Sequence, residues 1–143
     1  MQYRAQFEPD SERGGFVVTF PDFEWGVTQG DTREDAAEMA VDALLMVIAH
    51  YIETGRDLPV AGRHKGRKFH TVELPAMATA KAELYLAFRR AGITKSELAR
   101  RVGIPKTNVD RLFDVRNNSR FDRIEAAFAA IGKRVAVEIL DAA

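Results

Sequence analysis

The chain has 143 residues, of which 46% are hydrophobic and 29% charged, and 21 Lys and Arg balance 21 Asp and Glu for a net charge of zero. This composition excludes a disordered chain, and the length suits one ordinary domain or two small ones. The lack of Cys excludes disulfides, Cys-ligated zinc and thiol catalysis. No apolar run reaches the roughly 18 residues of a membrane span and no signal pattern opens the sequence, so we expect a cytoplasmic protein.

The zero net charge is the sum of two unlike halves. Residues 1–62 carry four basic and twelve acidic side chains, for a net charge of −8, whereas residues 63–143 carry seventeen and nine, for +8. The sign changes within 55–66, where Gly and Pro residues predict a loop or linker. Because Lys and Arg that neutralise phosphates supply most non-specific affinity for nucleic acid, the split predicts a basic half that faces a polyanion. Chance composition on two solvated surfaces is the alternative.

The acidic half begins with three predicted strands. Residues 1–7 alternate apolar and polar side chains, the period of a half-buried strand. Two turn signals then precede 16–20, which we expect to return as a hairpin partner. After a Pro-Asp break, residues 25–29 predict a third strand.

A long helix and a fourth strand follow. Asp31 or Thr32 can cap the start of the helix, with Asp35 at the capping-box position, and Gly55 is a natural residue for its end. Apolar residues recur between them at helical spacing. Residues 68–74 alternate again and predict a strand. The order β-β-β-α-β predicts an α+β unit of roughly 70 residues, a small sheet with one helix on one face.

No catalytic or metal-binding pattern emerges from this half. Its carboxylates fall on turns and on the solvated side of the helix, whereas general acid–base catalysis needs them together in a partly desolvated cleft. His50, His64 and His70 fall on a predicted helix, loop and strand, with no second ligand at metal-binding spacing. The sequence lacks the nucleophile-elbow, phosphate-loop and dinucleotide fingerprints. We therefore expect no enzyme activity, no metal and no cofactor.

The basic half opens with a helix predicted over 77–91, and 93–114 then has the spacing of a helix-turn-helix. Thr94 predicts an N-cap with Glu97 as its capping-box partner, and Gly103 predicts the turn. A second helix starts at the following proline. The inward-facing residues that hold the two helices together are a small residue and two apolar ones, Ala99, Val109 and Leu112.

This spacing predicts a DNA-reading surface. The exposed start of the second helix would face a major groove, since Arg can pair with guanine and Asn with adenine. A plain helical hairpin with a solvated basic face is the alternative. The residues expected to face the groove are Lys106, Thr107, Asn108, Asp110 and Arg111. Those expected near phosphates are Thr94, Lys95, Arg100 and Arg116.

A last helix and a strand close the predicted order. The helix begins at Ser119, and residues 134–140 then alternate as a strand would. A lone strand has an unpaired edge, and the same strand of a second copy could cover it. Such pairing would make a homodimer or tetramer with the two-fold symmetry that operator half-sites require.

The chain resembles a known family at two places. Residues 20–44 read FPDFEWGVTQGDTREDAAEMAVDAL and are similar to the N-terminal domain of HicB-type antitoxins. Residues 97–139 read ELARRVGIPKTNVDRLFDVRNNSRFDRIEAAFAAIGKRVAVEI and resemble the repressor-like helix-turn-helix of one branch of that family. Together the matches cover nearly the whole chain. They imply an antitoxin domain over 1–75 and a DNA-binding domain over 76–143.

The resemblance implies a function. The first domain would be a partial RNase-H-like fold that binds and masks a HicA-type toxin, a small mRNA-cleaving ribonuclease, and the second would bind the operon's own promoter. The candidate toxin contacts lie between the second and third strands, at Asp22, Phe23, Glu24 and Trp25. An acidic surface can compete for the basic surface that a ribonuclease needs, and complementary charge mainly speeds association.

The sequence departs from active RNase H enzymes in its first strand. The middle of that strand is Ala5-Gln6, where a nuclease would need an Asp for its metal, so we expect a domain without enzyme activity. Two alternatives to the antitoxin remain. One is a stand-alone transcriptional regulator whose first domain senses a ligand or oligomerises, and the other is an RNA-directed enzyme.

Overall fold

Four strands form one antiparallel sheet in a computed structural model that describes residues 1–142. They are β1 (Gln2–Pro9), β2 (Phe16–Thr19), β3 (Val27–Gly30) and β4 (Phe69–Glu73). Their order in the sheet is β3-β2-β1-β4, and every neighbouring pair is antiparallel. The first strand therefore lies inside the sheet, whereas β3 and β4 form its two edges.

Helix α1 (Arg33–Glu53) covers one face of the sheet. The predicted alternation of β1 is confirmed, because Tyr3, Ala5 and Phe7 are all buried on this face. Thr32 is the N-cap of α1, and its hydroxyl oxygen accepts a hydrogen bond of 3.1 Å from the backbone N–H of Asp35. The sequence and structure thus agree on the β-β-β-α-β order of this unit.

A glycine at the end of β3 allows the strand to lie close to the start of α1. A Cβ atom on Gly30 would overlap the backbone of Asp35 and Ala36 in the first turn of the helix. The strand can therefore pass directly into the helix with only two residues between them, Asp31 and Thr32.

Four helices make up the rest of the described chain. They are α2 (Ala76–Ala91), α3 (Lys95–Val102), α4 (Lys106–Phe113) and α5 (Phe121–Ala130). Apolar side chains from all four helices are buried together, and they belong to one cluster with the core beneath the sheet. The members from these helices include Leu84, Phe88, Leu98, Val109, Leu112, Ile124 and Ala127.

A buried lysine connects α2 to the end of α4. Lys81 has no exposed surface, and its ammonium group donates hydrogen bonds to the backbone carbonyls of Arg111 (2.9 Å) and Asp114 (3.1 Å). Each carbonyl also accepts a longer backbone hydrogen bond, from the N–H of Asp114 (3.3 Å) and of Asn117 (3.2 Å) respectively, so the ammonium is the shorter and charged donor to both. Burial lowers the pKa of Lys81, and the negative charge of Asp114 opposes that change.

The N-terminal unit and the helices also meet through polar contacts. The Tyr85 hydroxyl donates to the Arg56 carbonyl at 2.8 Å, and the Arg89 guanidinium binds the Asp57 carboxylate at 2.8 Å. Arg116 forms an ion pair with Glu53 at the end of α1. These contacts and the shared core join the two parts, and the division of the chain after residue 75 stays a prediction.

The expected strand over 134–140 is absent from the single chain. Residues 133–142 follow α5 without regular secondary structure, and Val137, Ile139 and Leu140 are exposed. A strand exists only through hydrogen bonds to a neighbour, and the described chain supplies no neighbour to this tail. The sequence has the alternation of a strand, but the described chain offers no second strand for residues 134–140 to pair with.

Replacement of Lys81 tests whether its ammonium stabilises the fold. We expect Lys81→Met to lower the free energy of unfolding by about 1–3 kcal/mol, because two carbonyl groups lose their charged donor and keep only the longer backbone hydrogen bonds, while the side-chain volume is kept. Urea denaturation of the full chain measures the change. Lys65→Met, at an exposed loop position, is the matched control and should stay within about 0.5 kcal/mol. An unchanged or higher stability of the Lys81 variant would contradict this assignment.

Candidate functional site

A tight turn sets α3 against α4. Gly103 has a φ of +79° in the left-handed region, where a side chain would be strained. The backbone N–H groups of Gly103 and Ile104 both donate to the Ala99 carbonyl, at 2.8 and 3.0 Å. Ala99 is buried where the helices meet, and Val109 anchors α4 from below. The structure therefore has two eight-residue helices joined by a three-residue turn, as the spacing predicts.

The start of α4 is open to solvent. Lys106, Thr107, Asp110 and Arg111 are exposed, and Asn108 is half-buried. The helix is preceded by Pro105, which provides no side-chain cap, so backbone N–H groups of the first turn remain available to a partner. This end of α4 can bind an anion or present polar side chains to a groove.

Two of the predicted phosphate contacts are held by carboxylates of the same chain. Lys95 Nζ lies 2.6 Å from Asp110 Oδ1 on α4. Arg100 binds Glu97 through two hydrogen bonds, and Arg101 binds the same carboxylate at 3.0 Å. The hydrogen bonds from Arg100 and then Arg101 lower the pKa of Glu97 to about 2. Glu97 therefore stays ionised, and a phosphate group must compete with it for Arg100.

Thr94 and Arg116 have structural partners. The Thr94 hydroxyl caps α3 by accepting the backbone N–H of Glu97 at 3.1 Å, which confirms the predicted N-cap. Arg116 binds Asp114 at 3.0 Å and Glu53 of α1. A hydrogen bond from Arg116 is the main reason that the pKa of the Asp114 carboxyl is lowered. The structure thus places Arg116 against α1, apart from the exposed start of α4.

The sequence prediction included Arg116 and missed the rest of the loop that follows α4. A hollow of about 370 Å³ lies between α4 and this loop, and Asn108 and Arg111 line it from the helix side. Both are predicted groove residues. The signal was present as a run of amide and basic residues, RNNSR, at 116–120. The far side of the hollow includes Asn117, Asn118, Ser119 and Arg120 of the loop and Arg123 of α5.

In the N-terminal unit, two of the four predicted toxin contacts are bound within the chain. Asp22 accepts the Gly62 backbone N–H at 3.1 Å, and its other oxygen lies 2.8 Å from His64 Nε2. This carboxylate therefore fastens the 55–66 loop to the end of β2. Glu24 forms an ion pair with Arg56 at 2.6 Å, and the hydrogen bonds from Arg56 lower the pKa of Glu24.

The two predicted aromatic contacts differ in exposure. Phe23 is buried, and its ring centroid lies 4.8 Å from that of Tyr3 and 5.3 Å from that of Tyr51. This ring is part of the core of the N-terminal unit, and a contact of Phe23 with the toxin stays a prediction. Trp25 is 44% exposed and touches His50 of α1 edge-on, with 5.4 Å between ring centroids. A role for Trp25 at a partner surface stays a prediction.

Exposed apolar side chains surround Trp25. Val27 of β3 is 67% exposed, and Met39 and Met46 on α1 are 42% and 53% exposed. With Trp25 they line a hollow of about 280 Å³, hereafter the Trp25 hollow, and Asp42 lies at its edge. The sequence prediction assigned no role to these three residues, because a local pattern does not show which apolar side chains of a helix or strand stay exposed.

No metal site or membrane span is found within residues 1–142. No group of three or more His, Asp or Glu side chains is placed to hold a metal ion within this range. His70 is near Arg33, with 2.6 Å between His70 Nε2 and the guanidinium, and its pKa is lowered by burial and then by Arg33 and Arg4. None of the helices of residues 1–142 combines the length and the apolar character needed to cross a bilayer.

Comparisons with known proteins point to a single family. The family described as "HicB_like antitoxin of bacterial toxin-antitoxin system" matches residues 2–83. Antitoxin HicB 1 of Photorhabdus laumondii is 37% identical over 139 residues, which cover 97% of the chain and 87% of that protein. Antitoxin HicB of Escherichia coli K12 is 35% identical over 137 residues, covering 96% and 98%. A solved "Toxin-Antitoxin complex from Streptococcus pneumoniae" is 32% identical to the chain, with a TM-score of 0.40 and coverage of 43% of this chain and 44% of that one.

Proposed function

The chain belongs to the HicB-like antitoxin family and is the antitoxin of a toxin–antitoxin system, and on this basis we propose that it neutralises a HicA-type toxin and represses its own operon. The toxin would be an mRNA-cleaving ribonuclease, and repression would follow from binding of promoter DNA. The observation that carries the proposal is similarity to HicB antitoxins along nearly the whole chain. Both partners are molecules of the bacterial cytoplasm, where we expect the protein to act.

Charge supports a toxin partner for the N-terminal unit. Residues 1–75 carry thirteen acidic and eight basic side chains. A ribonuclease must bind RNA through a basic surface, and an acidic protein can compete for that surface. We assign no catalytic role to this unit: the middle of β1 offers Ala5, which is buried, and Gln6, which binds Glu8. The unit would act by binding alone.

The geometry of α3 and α4 supports a DNA partner for the helical part. A helix-turn-helix reads bases with the first residues of its second helix, and the corresponding residues of α4 are exposed or half-buried. Arg120 of the loop after α4 and Arg123 of α5 line the same hollow as Arg111. We propose that α4 enters the major groove and that this loop lies along the phosphate backbone.

The exposed tail supports self-association. Val137, Ile139 and Leu140 are 69%, 89% and 74% exposed in the single chain. Apolar side chains of this size are normally covered, and strand pairing with the tail of a second copy would cover them. The pair would also place two copies of α4 about a two-fold axis, as palindromic operators require.

The toxin partner is tested by co-expression in bacteria. We expect the chain to restore growth to cells that express a short, basic, His-containing protein encoded by the adjacent reading frame, and to co-purify with it. Growth is measured as colony counts, and the complex is measured by affinity capture. If the chain neither restores growth nor co-purifies, the antitoxin partner assignment fails and a stand-alone transcriptional regulator becomes the better interpretation.

DNA recognition by α4 is tested with three substitutions. Arg111→Ala and Asn108→Ala should each cost about 1–3 kcal/mol on the operator and relax its base preference, since each can pair with a base edge. Lys95→Ala should weaken binding to all sequences alike and reduce the salt slope by about one unit, because it would lose one phosphate contact.

Gel-shift titrations at several salt concentrations measure both effects. Lys65→Ala removes an exposed lysine of the N-terminal unit and should leave DNA affinity unchanged, which makes it the matched control. A Lys95 variant that changed the preferred site, or an Arg111 variant that bound as tightly as the wild type, would contradict the assigned roles.

Self-association through the tail is tested by truncation. Removal of residues 134–143 should reduce the particle mass measured by light scattering to that of one chain, because the apolar strand would be lost. Glu138→Lys, on the opposite face of the predicted strand, is the control and should keep the wild-type mass. An unchanged mass after truncation would place the interface elsewhere.

A further inference from the structure

The Trp25 hollow is an apolar surface inside an acidic one. We propose that it is the docking surface for the toxin, which would insert an apolar side chain between Trp25, Met39 and Met46 and set Lys or Arg residues against the acidic side of α1. This inference rests on the proposed function, since it names the surface through which the toxin would be bound.

The apolar part of the surface is concentrated. Trp25, Val27, Met39 and Met46 come from two separate elements, β3 with its preceding loop and α1, yet they line the same hollow. Large apolar side chains that are exposed singly need no explanation, but a contiguous group marks an interaction site. Trp is enriched among the residues that dominate binding energy, and Met adapts its shape to a partner.

The lining of the hollow favours a protein side chain over a small molecule. Small-molecule sites are usually clefts with convergent polar groups. The Trp25 hollow is lined mainly by apolar residues, and Asp42 and Thr28 are the polar residues among them.

The carboxylates near the hollow are available to a partner. Glu34, Asp35, Glu38 and Asp42 are exposed along two turns of α1, and none of them forms an ion pair with a residue of the described chain. Other carboxylates of the chain, such as Glu24, Glu97 and Asp110, each bind a Lys or Arg of the same chain.

The unpaired carboxylates of α1 indicate the charge of the occupant. Unpaired carboxylates beside an apolar surface attract a protein whose own apolar contact is flanked by cations. A ribonuclease that binds RNA through Lys and Arg meets this description, whereas a second copy of this chain would bring the same unpaired acids against each other. The hollow therefore fits the toxin better than it fits self-association.

The test uses the full chain and the purified product of the adjacent toxin gene. Met46→Glu and Trp25→Ala should each weaken the toxin complex by about tenfold or more, mainly through faster dissociation, because they remove central apolar contacts. Asp42→Lys should slow association at low salt, and the difference from wild type should shrink as salt is raised. Surface plasmon resonance separates the two rates.

Val60→Glu is the matched control, because Val60 is an exposed apolar residue in the 55–66 loop, away from the hollow. We expect its toxin affinity to stay within about twofold of wild type. Operator affinity and the urea midpoint of every variant should equal those of wild type, which shows that the fold is intact.

The outcomes separate the two levels of the proposal. If the wild-type chain does not bind the toxin, the proposed function itself fails. If wild type binds and the Met46 and Trp25 variants bind equally well, only the docking surface is wrong. If Met46→Glu changes the particle mass of the free chain and leaves toxin binding unaltered, the hollow is a self-association surface, which also overturns the inference.

Discussion

The buried ammonium group of Lys81 holds the end of α4 in place. The positions of the exposed side chains on that helix therefore depend on it. Its hydrogen bonds to the Arg111 and Asp114 carbonyls fix the end of α4 on α2, while Arg111 presents its side chain to solvent from the same turn. Burial of a charged ammonium group in an apolar interior costs free energy and favours loss of its proton. The two carbonyl acceptors and the nearby Asp114 carboxylate offset this cost for Lys81. Because α2 also binds the loop after α1 through Tyr85 and Arg89, the same helix contacts both α4 and the N-terminal unit.

Local sequence patterns predicted most of the secondary structure. The alternation of β1 and the caps at Thr32 and Thr94 are determined by neighbours within a few residues, and all are confirmed. The tail could not be predicted from such a pattern, since a strand also needs a partner. Phe23 and Trp25 are two residues apart and chemically alike, and only packing against Tyr3 and Tyr51 decides which of them is buried. Exposed apolar residues such as Met39 carry the same pattern as core residues, so the Trp25 hollow could not be found from sequence.

The sequence predicts the right sign of net charge for each part of the chain, but it places the boundary between the two parts too early. A cut after residue 62 gives −8 and +8, but the basic run at 63–68 lies next to the sheet, where Arg4 donates to the His64 carbonyl and Phe7 to the Lys68 carbonyl. With that run counted in the N-terminal unit, residues 1–75 have a net charge of −5 and the rest +5. Ion pairs add a local distinction to these totals. Glu34, Asp35, Glu38 and Asp42 of α1 form no ion pair within residues 1–142, whereas Glu24 and Glu97 are each bound to an Arg of the same chain.

The position of β1 inside the sheet has a consequence for biosynthesis. Gln2 pairs with Glu73, so the first strand of the chain acquires its second neighbour only after more than 70 residues have been made. Contacts between distant residues form slowly because a long loop must close first, whereas the helices from Lys95 to Ala130 contact one another over short separations. On the ribosome, the β1–β2–β3 meander and α1 emerge first. They cannot pair with β4 until the loop that contains the basic run at 63–68 has also emerged. The sheet is therefore completed late, and the N-terminal unit matures as the helical part is being synthesised.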